Sequence, residues 1–548
     1  MTECIQLAGG KVHDPANGID GQIKDLYLEN GRMVEAPSPA ATLRRIDVSG
    51  MVVMPGGVDI HCHIAGPKVN LARKLQPEDH RRDPHPATLH TRSGAGGTVP
   101  STFATGYRYA TLGYTTAMEA AVTPIAARHV IEEFHDTPVI DKGFYVLLGN
   151  NVLLQQLIKE GRKEEFRQAV AWWINATKAY TAKLVNPGGD EPWKGKKNSN
   201  VKDIDEKSDF VEVSPRQVIE SFIETVNELG LPHPPHIHCN NLGHSGNFET
   251  TLETMKTAGD RRAHLAHIQF HSFAGELGKN PKSASRQIAE YINEHPNITC
   301  DVGQVMFGKA TIMTADAPLA YMLRGFQKGK WVNADTECES GCGIMPFNYQ
   351  EHVYVHALQW AIGLELFLLS KDPWRIVLST DHPNGGSFLS YPKLIRLLMD
   401  REFRREEIKR VNQKAINNTI LNELKREYTL NEIAIITRAG PARALNLTNK
   451  GHLGAGADAD ITIYDEMDDK EAMFNAPRYV IKSGSVIIDN HEFRRDYYGK
   501  FLHAEPGYDE SIVEVVRPFF ENYYSIEFPN YAVDDSYLHD HEVIPTVK

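Results

Sequence analysis

Residues 53–66 read VMPGGVDIHCHIAG. Within them GGVDIHCH is a short apolar run of strand character. Side chains alternate along a strand, so Asp59, His61 and His63 are expected to point the same way. Two imidazoles side by side at a strand end can chelate one divalent metal, for which neutral imidazole is well suited. Two packed histidines are the bland reading of such a pair. The PGGVD immediately before it, on the first strand of an alternating chain, favours ligation.

Seven similar runs follow: GYTTAMEA (113–120), GFYVLLGNN (143–151), AYTAKLVNP (179–187), PPHIHCNN (234–241), AHLAHIQFH (263–271), NITCDVG (297–303) and RIVLSTDHP (375–383). Amphipathic stretches such as residues 151–180 and PRQVIESFIETVNELG (215–230) lie between them. Strand–helix alternation predicts parallel strands with helical crossovers. Eight units predict an α/β (β/α)₈ TIM-type barrel over residues 55–445, with its chemistry at the C-terminal ends of the strands. The long interval 304–375, carrying Met306, Met313, Met322 and Met345, reads as an inserted lid or packing segment.

Both ends of the chain read as short strands. IQLAGGKVHD, KDLYLENGRMVEA and LRRIDVSGMVVM fill residues 1–54, and ADADITIYDE with RYVIKSGSVIIDN falls within 446–500. Together they predict one small antiparallel β-sandwich built from both termini. Residues 501–548 hold ten acidic residues against Arg517 and Lys548, yet also Phe519, Phe520, Tyr523, Tyr524 and Tyr531. That is too aromatic for a solvated acidic run, so the tail is expected to dock on its own chain or on another chain of a complex.

Composition narrows the function. The 548 residues are 41% hydrophobic and 24% charged, with 59 Lys and Arg against 71 Asp and Glu, a net of −12. An acidic chain without a basic face is a poor nucleic-acid binder. Six scattered cysteines, no basic-then-apolar leader and no apolar run long enough to span a membrane predict a cytoplasmic protein.

Other ligand types also end strand runs: His238 ends PPHIH, His267 ends AHLAH and Asp381 ends RIVLSTD. A lone histidine is usually a satisfied structural group, but four strand ends of one barrel converge on one mouth. His236 shares the parity of His238, which lies nearer the strand end. His264 is expected to face the opposite way on a regular strand, His271 to fall in the following loop, and His382 to point away from Asp381 or leave the strand. Lys183, inside AYTAKLVNP, is costly in an apolar strand unless paired or neutralised. Alone it reads as a snorkelling lysine. Beside these histidines it reads as the site of a CO₂-derived carbamate, N6-carboxylysine, able to bridge two metals. Lys178 has opposite parity and belongs to the preceding helix end.

These motifs resemble the amidohydrolase superfamily. PGGVDIHCH is similar to its first-strand signature, and GHLGAGADADITIYD (451–465), preceded by TRAGPARALNL, is similar to the signature where the chain re-enters the sandwich. The resemblance implies two divalent metals, zinc being expected. It implies His61 and His63 on one, His238 and His267 on the other, the Lys183 carbamate as bridge, and Asp381 as metal-bound acid/base. A narrower set of strings resembles the A-type subunits of formylmethanofuran dehydrogenases and of formyltransferase/hydrolase complexes: KLVNPGG, HIHCNNLGHSGN, HLAHIQFHSF, GQVMFG and LSTDHPNGGSF. That resemblance implies hydrolysis or formation of the N-formyl amide of a methanofuran-type carrier, giving formate and the free amine, inside a multi-subunit complex. Such carriers bear γ-linked glutamates, so Lys194, Lys196 and Lys197 are candidate substrate-binding residues at the mouth. Arg401, Arg404, Arg405, Lys409 and Arg410, interspersed with Glu402, Glu406 and Glu407, read instead as a solvated helix face. The alternatives are a free-standing cyclic amidohydrolase of the dihydroorotase or hydantoinase type, and a non-catalytic scaffold subunit.

Overall fold

A computed structural model of the chain describes residues 3–189, 201–276, 279–316 and 342–547, with residues 319, 322–323, 330 and 332–334 between. Eight parallel strands form the barrel: β1 (Gly57–Cys62), β2 (Tyr114–Val122), β3 (Asp141–Leu147), β4 (Thr181–Val185), β5 (His236–His238), β6 (Ala263–Leu265), β7 (Ile298–Asp301) and β8 (Ile376–Val377). Each is hydrogen-bonded to the next in chain order. β8 meets β1 through a Cys62–His382 bridge, where the His63 amide donates to the His382 carbonyl at 2.7 Å. The barrel is therefore nearly closed.

The crossover helices follow local sequence signals. The predicted helix after residue 214 spans Pro215–Glu228 and begins with a capping box: Ser214 accepts from the Gln217 amide and Gln217 accepts from the Ser214 amide. The apolar stretch 151–180 forms two helices, Val152–Lys159 and Lys163–Thr177, separated at Gly161, whose φ of 69° suits glycine.

The sheet-rich ends of the chain join one nine-stranded sheet among the described residues. Strand Ile461–Asp465 lies antiparallel to Met51–Pro55, with Ile463 opposite Val53. The expected sheet is not purely antiparallel, however. The long strand Glu3–Asp14 pairs in parallel with Thr42–Asp47 and then with Met51–Pro55, while its own pairing with Ile19–Glu29 shifts register between Leu7 and Gly10. Ile5, Leu7, Val12, Leu28, Val53 and Ile461 form its buried core. A buried ion network fastens this sheet to the barrel: Asp141 on β3 receives Lys450 Nζ at 2.5 Å and Lys482 Nζ at 2.6 Å, and both lysines also reach Asp460.

The tail docks on its own chain. Trp172 stacks on Phe528 at 5.7 Å and packs edge-on to Phe520, while the Val533 amide donates to the Ala176 carbonyl. Strand Phe501–His503 adds to β3, and His541–Val543 pairs with it. Lys178 caps the helix Lys163–Thr177 and pairs with Asp535 at 2.5 Å. No helix among the described residues is long and apolar enough to cross a membrane.

Candidate metal centre

β1 carries a local irregularity that sets the site. Its pairing with β2 shifts between Asp59 and Cys62, so three steps on β1 match two on β2. Asp59 therefore does not share a face with His61, contrary to simple alternation. Its carboxylate instead accepts from Tyr109 at 2.8 Å and Tyr391 at 2.6 Å, while Val58 and Ile60 pack with Met118, Ala120 and Tyr145. After the irregularity both histidines turn into the barrel mouth.

Each of them is held by a carboxylate on one ring nitrogen and faces Asp381 with the other. His61 Nδ1 lies 3.0 Å from Asp301, His63 Nδ1 lies 2.7 Å from Glu119, and both Nε2 atoms lie 3.1 Å from Asp381 Oδ1. Carboxylate anchoring of the remote nitrogen fixes the orientation of a ligating histidine and raises its basicity. Burial would raise Asp381, but the imidazoles of His61, His63 and His267 hold it well below the usual carboxylate range. Burial would lower His61, but Asp301 and Asp381 draw it up to about 9.

The ladder of β4, β5 and β6 places the other donors in layers. Lys183 pairs with His236, and His236 with His264, so these three occupy one level. His238 pairs with Val185, one layer nearer the mouth. His236 sits beneath the mouth, 2.9 Å from His61 Nδ1 and 4.6 Å, ring to ring, from His264. His264 does not face away, contrary to the expectation from alternation with His267. It reaches Asp301 at 3.2 Å from its place in the strand, and His267, which has left the strand with a φ of 33°, turns its side chain to the cavity as well. Asp381 is also left-handed, with a φ of 49°. Such non-glycine strain persists only where surrounding contacts enforce it.

His238 and His267 lie 4.7 Å apart, ring to ring, and His271 lies 5.2 Å from each. Burial keeps all three well below the ordinary histidine range, so they are neutral donors. His271 follows the strand, as the sequence predicts, and ends a buried 3₁₀ turn, Ile268–His271, which brings it back to this group. His238 Nε2 also lies 2.9 Å from Asp316. His382 stays outside the cavity, its Nδ1 accepting from the Phe388 amide.

Lys183 Nζ is fully buried and makes no hydrogen bond. Burial pulls its ammonium down to about 7, against the attraction of Asp301 and Asp381. Neither ring nitrogen of His271 nor His267 Nδ1 makes a hydrogen bond either. Buried polar groups are nearly always satisfied, so this set fits a cationic group held between them. The donors suit two divalent ions: His61, His63 and Asp381 around one, and His238, His267 and His271 around the other, with Lys183 lining the same cavity.

All six predicted donors line one cavity of about 450 Å³. Ile312, Met313, Phe347 and Tyr349 form an apolar wall opposite them. They come from the interval 304–375, where Gly308–Thr314 and Cys342–Tyr349 are the paired arms of an inserted hairpin-like sheet, Cys342–Tyr349 also pairing with Val332–Ala334 on its other side. Lys194, Lys196 and Lys197 lie outside the described residues. The second basic cluster forms helix Arg401–Arg410, where Arg405, Lys409 and Arg410 pair with Glu402, Glu406 and Glu407 and the Arg404 guanidinium is buried on carbonyls.

Sequence reasoning misses Glu119, Asp301 and Asp316. The first two are legible as acids near the ends of strand runs. Asp316 follows the first strand of the inserted hairpin and has no such signal.

Residues 44–488 match the amidohydrolase family model. The chain belongs to the amidohydrolase family. This amidohydrolase is 42% identical to protein FwdA of Methanocaldococcus jannaschii, over 98% of both chains. It is 38% identical to the A component of the formyltransferase/hydrolase complex Fhc of Methylorubrum extorquens, over 97% of this chain and 96% of that one. It also resembles a chain of the crystal structure of the M. extorquens formyltransferase/hydrolase complex with methylofuran, with a TM-score of 0.91, 35% identity and full coverage of both.

Proposed function

We propose that this chain is the hydrolase subunit of a complex of the formyltransferase/hydrolase or formylmethanofuran dehydrogenase kind. It hydrolyses, or forms, the N-formyl amide of a methanofuran-type carrier, giving formate and the free amine. The observation that carries this reading is the end-to-end likeness to one chain of a complex solved with methylofuran. The buried donor set around Lys183 supports it.

His61 and His63 would hold one metal, and His238 and His267, with His271 beside them, the second. Imidazole-rich surroundings suit zinc. Lys183 would carry the carbamate bridge: an amine drawn down to about 7 presents the neutral form that reacts with CO₂. When bound, such a metal pair supplies Lewis acidity and a lowered water pKa at neutral pH. The chain's own residues do the rest. Asp381, kept ionised, accepts a proton from the attacking water and returns it to the leaving amine. The apolar wall excludes bulk water and receives the carrier's ring. Lys194, Lys196 and Lys197 meet the carrier's glutamates, and the outer face of the tail contacts the other subunits.

The test is purification of the native complex, identification of its subunits, and assay of formate release from the formylated carrier. Co-purifying transferase subunits and formate release are expected. A partner-free chain that opens dihydroorotate or a hydantoin but leaves the formyl carrier intact would establish the cyclic amidohydrolase reading instead.

A further inference from the structure

The sequence HPNGG after Asp381 places Asn384 where the mouth of the barrel meets the inserted hairpin. Asn384 is 8% exposed and its side-chain amide is used at both ends. Nδ2 donates to Asp381 Oδ1 at 2.9 Å, and Oδ1 accepts from the Met313 backbone amide at 2.7 Å. Its main chain is fixed as well: the Asn384 amide donates to the Asp381 carbonyl at 2.7 Å, and Tyr349 donates its hydroxyl to the Asn384 carbonyl at 3.0 Å. A neighbouring bond, from the Thr311 amide to the Pro383 carbonyl, continues the same seam.

Asp381 Oδ1 is the oxygen that stands 3.1 Å from both His61 and His63. The Asn384 donor is thus directed at that same oxygen, while its acceptor reads the register of strand Gly308–Thr314. We infer that Asn384 is a positioning residue: its amide fixes Asp381 Oδ1 toward the two β1 histidines and couples that orientation to the seating of the hairpin that walls the cavity. This rests on the placement of Asp381 in the metal centre. A buried amide with both ends satisfied holds one rotamer, and a carboxylate at a left-handed position, as Asp381 is, needs such support. Substrate that packs on the hairpin would thereby act on the carboxylate that handles the proton.

Two variants test the inference. Asn384→Leu keeps the size and removes both bonds. Asn384→Asp keeps an acceptor for the Met313 amide but sets a carboxylate against Asp381. Metal affinity is measured by competition with a chelator on the folded full chain, and kcat and KM on the complex. Both variants are expected to bind metal about 10–100-fold more weakly, the range typical of groups that orient ligands. Asn384→Asp is expected to lower kcat with little change in KM, because its hairpin contact survives. Wild-type metal affinity in either folded variant would overturn the inference, as would a change confined to thermal stability. If Asn384→Leu does not fold, Asn384→Asp decides alone. Metal affinity is read without the formyl carrier, so a wild-type chain inactive on that carrier would sink the proposed function and leave this result standing.

Discussion

Glu119 on β2 faces His63 Nδ1 at 2.7 Å and also accepts the backbone amides of Ile64, at 2.6 Å, and Ala65, at 3.1 Å. One buried carboxylate therefore fixes both the ring and the chain that carries it. Burial would raise this acid, but Lys68 and His63 bring it down to about 2, so it stays ionised at neutral pH. Glu119→Gln replaces one accepting oxygen by a donor facing these N–H groups. Metal affinity at the His61–His63 end should fall about 10–100-fold, checked by chelator competition. Unchanged affinity would mean that His63 needs no such anchor.

Metal content is the broadest check. The two donor groups predict about two divalent ions per chain in active protein, since each supplies three ligand atoms. Chelation should abolish formate release and re-addition should restore it. Elemental analysis finding no metal in fully active protein would refute the assignment.

Lys183→Ala should lose both activity and most of the bound metal. Short carboxylic acids should restore part of each, because the cavity left by the buried side chain admits them. A variant with normal turnover and metal content would exclude Lys183 as the bridge. Lys178, which pairs with Asp535, is not positioned to replace it.

Asp381→Asn keeps the size and can still offer an oxygen to a metal, but it removes the proton acceptor. Proton transfer by such a group is typically worth 10²–10⁴-fold, so kcat should fall by about that factor with little change in KM. The complex should still assemble. Normal turnover would remove Asp381 from proton transfer.

Acid should weaken the docking of the tail. Burial lowers His135 to about 4, helped by His539 stacked 3.8 Å away. Burial lowers His503 to about 4 as well, helped by Lys178. Both ordinarily titrate at 6.5, so between pH 6.5 and 4 the state with the tail undocked, which frees His503 and uncovers His135 on the helix Ala127–Asp136, binds more protons than the docked one. The stabilisation they contribute is thus present above pH 6.5 and lost as pH falls toward 4. Trp172, stacked on Phe528, reports undocking by its fluorescence. A tail contact independent of pH across that window would contradict the assignment.

The barrel, its strand order and most of its donors are legible in the order of residues alone. Eight apolar runs with ligand types at their ends carry that information locally, because a parallel strand declares itself by composition and its polar end marks the mouth. His61, His63, Lys183, His238, His267 and Asp381 can be read in this way, and all six line the one cavity. What surrounds them is settled by packing between distant elements. The shift in β1 that turns Asp59 away from His61 depends on pairing with β2, not on residues 57–62. That His267 faces the cavity although His264, three residues before it, also points inward depends on the left-handed turn at His267. Glu119, Asp301 and Asn384 acquire their partners from strands and a hairpin distant in sequence. Alternation predicts which way a side chain points while a strand stays regular; at a functional rim the strand ends or bulges, and contacts between elements then set the direction.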